Sequence, residues 1–246
     1  MSVAGRGPLI LFLHGIGGNR THWAAQLDFF STTFKAVAWD ARGYGDSDDY
    51  DGALQFDDFS ADLLRVLDFL GERTAHLVGL SMGGRIARNF ALQHAQRVAT
   101  LTLANTSPGF DALTPEEVRR FVEERANRTP DSAQRLLGSR AHAGAGAALR
   151  DSLAALRREP YLKTLAASVS QDRAAPLEQL AMPVLVVSGD EDRVYPQTLA
   201  RAMAQRIAGA ELLVLEGCGH LSNLEQPERF NAALLDFLSR RSHGKD

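Results

Sequence analysis

One cysteine, Cys218, stands alone in 246 residues, so no internal disulfide can form, and no Cys/His cluster has zinc spacing. Nothing therefore demands an oxidising compartment or a structural metal. Long apolar runs are missing too. Met1 to Gly7 carries no hydrophobic stretch, and Pro8 to Leu13 is too short for a signal peptide or a membrane span. A cytoplasmic, soluble protein with no membrane partner is expected. Charge of one sign is also lacking: 27 basic against 30 acidic residues, a net charge of -3, give no footprint for a phosphate backbone, and nucleic acid is not an expected partner. Internal repeats and low-complexity segments are absent.

What remains is ordinary globular composition, 45% hydrophobic and 23% charged, in a chain long enough to bury roughly 70% of its unfolded surface. Short apolar runs alternate with segments of helical spacing, the α/β pattern. Strands are predicted at Leu9–Leu13, Lys35–Asp40, His76–Leu80, Thr100–Ala104, Val184–Ser188 and Glu211–Leu215. They are mostly continuous in hydrophobicity, as strands covered on both faces of a parallel sheet should be. Helices are predicted at Phe56–Leu70, Met82–His94, Tyr195–Ile207 and Pro227–Arg240, the last with Phe230, Leu234 and Phe237 in register. From Pro108 to Met182 the alternation stops. Helical segments near Thr114–Asn127, Asp131–Leu137, Ala147–Arg157 and Tyr161–Ser170, divided by Pro130, Pro160 and the stretch Ala143–Ala148, read as a helical cap. The expected organisation is a core of residues 1–107 and 183–246 with a cap inserted at 108–182.

The pentapeptide Gly79-Leu80-Ser81-Met82-Gly83 is a G-x-S-x-G. About one such sequence in ten would contain it by chance, so its context decides. It lies between a predicted strand and a predicted helix, the strand-turn-helix setting of a nucleophile elbow. A serine hydroxyl needs a base to take its proton, and the base needs an acceptor to orient it. His220 falls on a loop just past the last predicted strand, whereas His76, His94, His142 and His243 fall on a strand, a helix, the cap and the tail. Three carboxylates, Asp190, Glu191 and Asp192, follow the strand Val184–Ser188, and periodicity does not choose among them. The order serine, acid, histidine is that of α/β-hydrolases, and all three sit at carboxyl ends of strands, where ligands bind in open α/β sheets. After the first strand, His14-Gly15-Ile16-Gly17-Gly18 offers small residues whose backbone N–H groups can point at an oxyanion; Ile16 and Met82 are the predicted donors. The segment has neither G-x-G-x-x-G nor G-K-[ST], so a phosphate loop is set aside.

Five segments carry a resemblance: His14 to Gly18, Asp40-Ala41-Arg42-Gly43-Tyr44-Gly45-Asp46-Ser47, Gly79 to Gly84, Gly189-x-x-Asp192-x-x-x-Pro196 and Gly219 to Glu225. On these the sequence is similar to the α/β-hydrolase superfamily across nearly its whole length, and within it resembles the 3-oxoadipate enol-lactonase and small-esterase branch. The resemblance implies Asp192 as the third triad member, with Asp190 as runner-up, and makes Arg42 and Asp46 loop-fixing residues. It implies no cofactor, and a serine at the elbow argues against haloalkane dehalogenase and epoxide hydrolase chemistry. Relatives open with an antiparallel strand pair before the His-Gly motif, whereas only Met1 to Gly7 precedes the first predicted strand here, and Lys35–Asp40 is expected to become an exposed sheet edge.

The expected activity is hydrolysis of small carboxylic esters. Alternatives are an enol-lactonase of aromatic catabolism, a carbon–carbon bond hydrolase, a cofactor-free haloperoxidase and a ligand receptor that keeps its triad. A small-molecule ester or lactone is the expected partner, with a homodimer left open. Gly17, Trp23, Arg85, Val194 and Leu221 are expected around the substrate pocket. The acidic run Asp46 to Gly52 is read as a solvated loop rather than a calcium site, with no metal elsewhere, and Cys218 as a packed small residue.

Overall fold

A computed structural model describes residues 1–110, 114–129, 132–171 and 175–242. Pro130, Asp131 and His243 lie outside them. Seven strands form one sheet: β1 (Ser2–Ala4), β2 (Leu9–Leu13), β3 (Lys35–Ala38), β4 (Ala75–Leu80), β5 (Val98–Ala104), β6 (Val184–Gly189) and β7 (Glu211–Leu215). Their spatial order is β1-β3-β2-β4-β5-β6-β7. All neighbours are parallel except β1, which runs antiparallel to β3 with Val3 opposite Val37.

The continuous hydrophobicity of β2 has the predicted cause. Leu9, Leu11 and Leu13 point into one core, while Ile10 and Phe12 point into the other. The first core is closed by α2 (Asp58–Phe69), α3 (Met82–Gln93) and α7 (Gln197–Arg206), which contribute Phe59, Leu63 and Leu67, Ile86 and Phe90, and Met203. The second is closed by α1 (Ala24–Phe30) and by α9 (Pro227–Ser242), which follows the one-turn α8 (Ser222–Glu225), through Phe30, Phe230, Leu234 and Phe237.

The expected bare edge at β3 is not bare. β1 covers it along Ser2, Val3 and Ala4, and Gly5 and Gly7, both at positive φ, turn the chain from β1 into β2. A Cβ on Gly5 would sit 2.2 Å from the Ser31 carbonyl oxygen, so this turn closes only with glycine. Three residues are too few for a period-2 pattern, which is why the sequence does not announce the strand.

Between β5 and β6, among the described residues, the chain forms α4 (Pro115–Ala126), a 3₁₀ turn (Ser132–Leu136), α5 (Ala145–Ala154) and α6 (Arg158–Gln171), and no strand. A capping box opens α4: Thr114 accepts from Glu117 N–H while Glu117 reaches back to Thr114 N–H. Pro160 does not divide helices as the sequence suggests. It is the third residue of α6, in the first turn, where an N–H has no intrahelical acceptor and a missing one costs nothing. This insertion is tied to the loops at the sheet's carboxyl end. Arg140 N–H donates to Gly217 O at 2.9 Å and His142 N–H to Glu225 O at 2.8 Å; opposite, Arg157 pairs with Asp49 at 2.9 Å.

Candidate active site

Ser81 sits between β4 and α3 with φ +53° and ψ -115°, a region costing of order 1–3 kcal/mol for a non-glycine residue. The surroundings hold it there. Ser81 N–H donates to Ala104 O at 2.8 Å and Thr106 Oγ1 donates to Ser81 O at 2.6 Å. The glycines around it are sterically enforced. A Cβ on Gly79 would lie 2.3 Å from Gly83 O, and one on Gly83 would lie 2.2 Å from Leu13 O. Close approach of the elbow to the loop after β2 is thus built from residues without side chains.

From Ser81 a hydrogen-bonded chain runs inward. Its Oγ lies 3.0 Å from His220 Nε2, and His220 Nδ1 lies 2.9 Å from Asp192 Oδ2 and 3.1 Å from Oδ1. Ser81, His220 and Asp192 are all buried. Asp192 Oδ1 also accepts from Val194 N–H (2.8 Å) and Tyr195 N–H (3.0 Å), and Oδ2 from Asn105 Nδ2 (3.1 Å). Burial acts to raise the Asp192 pKa, but the charge and hydrogen bond of His220, with the Tyr195 and Asn105 donors, outweigh it and hold the carboxyl below its ordinary value. Asp190 turns elsewhere: it accepts from Gly217 N–H at 2.7 Å and Cys218 N–H at 3.4 Å. Glu191 accepts from Ser139 N–H and Oγ at 2.7 and 2.6 Å. Of the three competing carboxylates, geometry brings only Asp192 to the imidazole.

Two positioning groups were not legible in the sequence. Asn105, at φ +46°, follows β5 and bonds both Asp192 and Gly219 O (3.0 Å), so it joins the acid loop to the histidine loop. Asparagine tolerates left-handed backbone, but no spacing marks this one. Glu225, 1% exposed, accepts from Gly138 N–H (2.7 Å), Gly219 N–H (2.8 Å) and Leu221 N–H (2.8 Å). With His220 N–H donating to Leu136 O at 2.7 Å, these bonds fix the histidine loop against the insertion.

Ile16 lines the cavity above Ser81, and Met82 opens α3, where its N–H has no intrahelical acceptor. A Cβ on Gly15 would lie 3.2 Å from Ser81 Cβ, so the loop that carries Ile16 passes close to the serine. That cavity is narrow, about 20 Å³, and Leu221 is among its walls. The other residues expected around it are placed differently. Trp23 is fully buried, with its ring 5.0 Å from Phe12 and 6.0 Å from Phe230, and belongs to the core. Arg85 is held 5.3 Å from the Phe56 ring and 4.7 Å from the Phe110 ring, packed under the insertion rather than in the cavity. Val194 lines the neighbouring groove, and Gly17 faces Leu153. Arg42 makes two 2.7 Å bonds to Asp62, and Asp46 pairs with Arg20 while its N–H donates to Asp40; both fix loops. Cys218 is buried, and burial pushes its thiol pKa up.

His22 also lines the cavity, 2% exposed, with Nε2 2.8 Å from Ser152 Oγ on α5. Burial, then the neighbouring His14, lowers its pKa from 6.5 to about 4. The unfolded chain therefore binds this proton more readily than the folded one, so the contribution is full above pH 6.5 and is lost as pH falls toward 4. Taking up a proton at about 4 instead of 6.5 corresponds to roughly 3 kcal/mol. Denaturant unfolding at pH 7 and pH 4 is expected to show wild type losing about 3 kcal/mol more than His22→Gln over that interval. Equal losses in the two proteins would contradict this account of His22.

The model of the Alpha/beta hydrolase family matches residues 10–233, and the chain belongs to that family. The sheet order, with one antiparallel strand at the edge, is its fold. Among curated relatives, the chain is 31% identical over 256 residues to the 2-hydroxy-6-oxononadienedioate/2-hydroxy-6-oxononatrienedioate hydrolase of Paraburkholderia phymatum, covering 96% of this chain and 88% of that one. It is 27% identical to 3-oxoadipate enol-lactonase 2 of Acinetobacter baylyi, covering 95% and 89%. A thermophilic esterase from Thermogutta terrifontis superposes with a TM-score of 0.88 at 29% identity, covering 98% of this chain and 92% of that one. The family includes esterases, lactonases and carbon–carbon bond hydrolases, so membership alone does not choose a substrate.

Proposed function

We propose that this protein is a serine esterase that cleaves small carboxylic esters through an acyl-enzyme. The observation that carries the reading is the unbroken chain Ser81 Oγ to His220 Nε2, 3.0 Å, and His220 Nδ1 to Asp192 Oδ2, 2.9 Å, starting from a serine held at φ +53°. Ser81 attacks the ester carbonyl as His220 takes its proton. Asp192 holds the imidazole and stabilises its cation, while the Ile16 and Met82 N–H groups receive the oxyanion; a donor of that kind contributes about 3 kcal/mol. Collapse breaks the bond to the alcohol, which leaves with the proton from His220. A water molecule, deprotonated by His220, then attacks the acyl group and releases the acid. Residues 108–182 act as a cap, and the reaction runs in the cytoplasm without a cofactor.

The narrow cavity, about 20 Å³, supports short acyl groups, since it leaves little room beside the serine. Initial rates on p-nitrophenyl esters of increasing acyl length test this. The expected kcat/KM peaks between acetate and butyrate and falls beyond, and rates that climb with chain length contradict it. A lactonase is the second reading, favoured by the similarity to the A. baylyi enol-lactonase; a lactone is a cyclic ester opened by the same steps. Ring opening of an enol-lactone without turnover of any simple ester would put that reading first.

A further inference from the structure

The cavity over Ser81 is walled on the insertion side by two arginines of α4 and its C-terminal turn, Arg125 and Arg128. Arg125 is 6% exposed. It donates one hydrogen bond, Nη1 to Phe121 O at 3.3 Å, and its guanidinium lies 3.3 Å from the centre of the Phe121 ring. No ion pair joins Arg125 or Arg128 to a carboxylate among the described residues; Glu124, exposed on the same helix, acts on Arg128 at a distance. Burial pulls Arg125 down to about 10, and nearby Arg128 and Arg85 add to that, with Tyr195 and Tyr161 opposing. A buried guanidinium with no counter-charge is rare, because removing the charge from water is expensive unless it is paired.

The same two arginines, with Leu136, continue into a wider groove of about 630 Å³. Arg120, Arg135 and Arg193 line it as well, the last from the loop that carries Asp192. Its acidic walls are Glu117 and Glu124, and Glu117 is already engaged in the capping box with Thr114. Positive charge is thus concentrated along one path that ends at the serine. A neutral ester would leave the buried Arg125 and the half-buried Arg128 with no carboxylate partner among the described residues. A guanidinium fork matches a carboxylate with two parallel N–H donors.

From this juxtaposition we infer that the substrate is an ester or lactone that itself bears a free carboxylate, held by Arg125 and Arg128 while Ser81 reaches the scissile carbonyl. The inference rests on the serine-hydrolase reading for its kinetics but not for its binding. Arg125 and Arg128 are specificity residues: they bind the charged end and leave the acyl-transfer steps to the serine and histidine.

The kinetic test compares p-nitrophenyl hemiglutarate with p-nitrophenyl valerate, which share the chain length and differ in the terminal carboxylate. Wild type is expected to prefer hemiglutarate by about tenfold or more in kcat/KM. Arg125→Gln is expected to lose that preference through KM for hemiglutarate, and Arg125→Lys to recover part of it. Arg128→Gln, at a half-buried position, gives the same readout should the Arg125 variant fold poorly. Equal turnover of the two esters by wild type, or a matched fall on both in well-folded variants, overturns the inference and leaves the esterase intact. Binding is measured separately by calorimetry with glutarate, and Ser81→Ala is expected to bind it like wild type while Arg125→Gln does not. Should neither ester turn over, glutarate binding that depends on Arg125 still upholds the site and only the hydrolase reading falls. No glutarate binding, or tighter binding of inorganic phosphate at the same residues, overturns the carboxylate assignment.

Discussion

Ser81→Ala is expected to lower kcat on p-nitrophenyl acetate by on the order of 10⁶ while the fold stays intact. The size follows from what is removed. Ser81 Oγ is the atom that would form the acyl bond, and it lies 3.0 Å from His220 Nε2. Alanine keeps the Cβ that fits the φ +53° turn, so the clamps from Ala104 O and Thr106 Oγ1 onto the backbone survive. Circular dichroism and thermal unfolding should therefore match wild type. Residual rates above water are expected, since the proposed oxyanion donors, the Ile16 and Met82 N–H groups, are left in place. Activity within tenfold of wild type in a folded Ser81→Ala protein would remove the nucleophile from the account.

The second large effect separates two neighbouring carboxylates. Asp192→Asn is expected to cost on the order of 10⁴ in kcat, because an amide cannot stabilise the imidazolium and favours the tautomer that carries its proton on Nε2. Its NH₂ would also meet one of the donors now satisfied by the carboxylate, from Val194, Tyr195 or Asn105. Asp190→Asn is expected to change kcat by less than about tenfold, because Asp190 holds the Gly217 and Cys218 N–H groups rather than His220; its cost should appear in stability, at about 1–3 kcal/mol. Parallel kinetics and urea unfolding of the two variants decide the matter. Comparable losses of kcat in both would mean that the acid is shared or misassigned.

Much of this architecture is written in local patterns. β2 and β6 are continuous apolar runs because helices cover both faces, and Phe230, Leu234 and Phe237 share one stripe of α9 because that stripe meets the sheet. Ser81 is legible because its turn demands glycines at fixed offsets. The acid is not, since Asp190, Glu191 and Asp192 have equal standing by period, and only the direction of each side chain, or the resemblance to a family, tells them apart. β1 escapes notice because its three residues are held by pairing with β3 and by the Gly5 turn. Pocket walls are harder still. Trp23 and Arg85 lie near the site in sequence but are turned into packing, whereas Arg125, on a helix of polar composition, and Arg128, just past its end, reach the cavity through the way the insertion folds over the sheet.

In the proposed reaction Ser81 carries the acyl group. Rapid-quench mass spectrometry of the protein mixed with p-nitrophenyl acetate, followed by peptide mapping, tests it most directly. An acetyl mass on the peptide containing Ser81, forming as p-nitrophenolate is released and absent in Ser81→Ala, is the predicted result. Turnover with no acyl-protein at any time, or an acetyl group on another residue that is chemically competent for turnover, would contradict it.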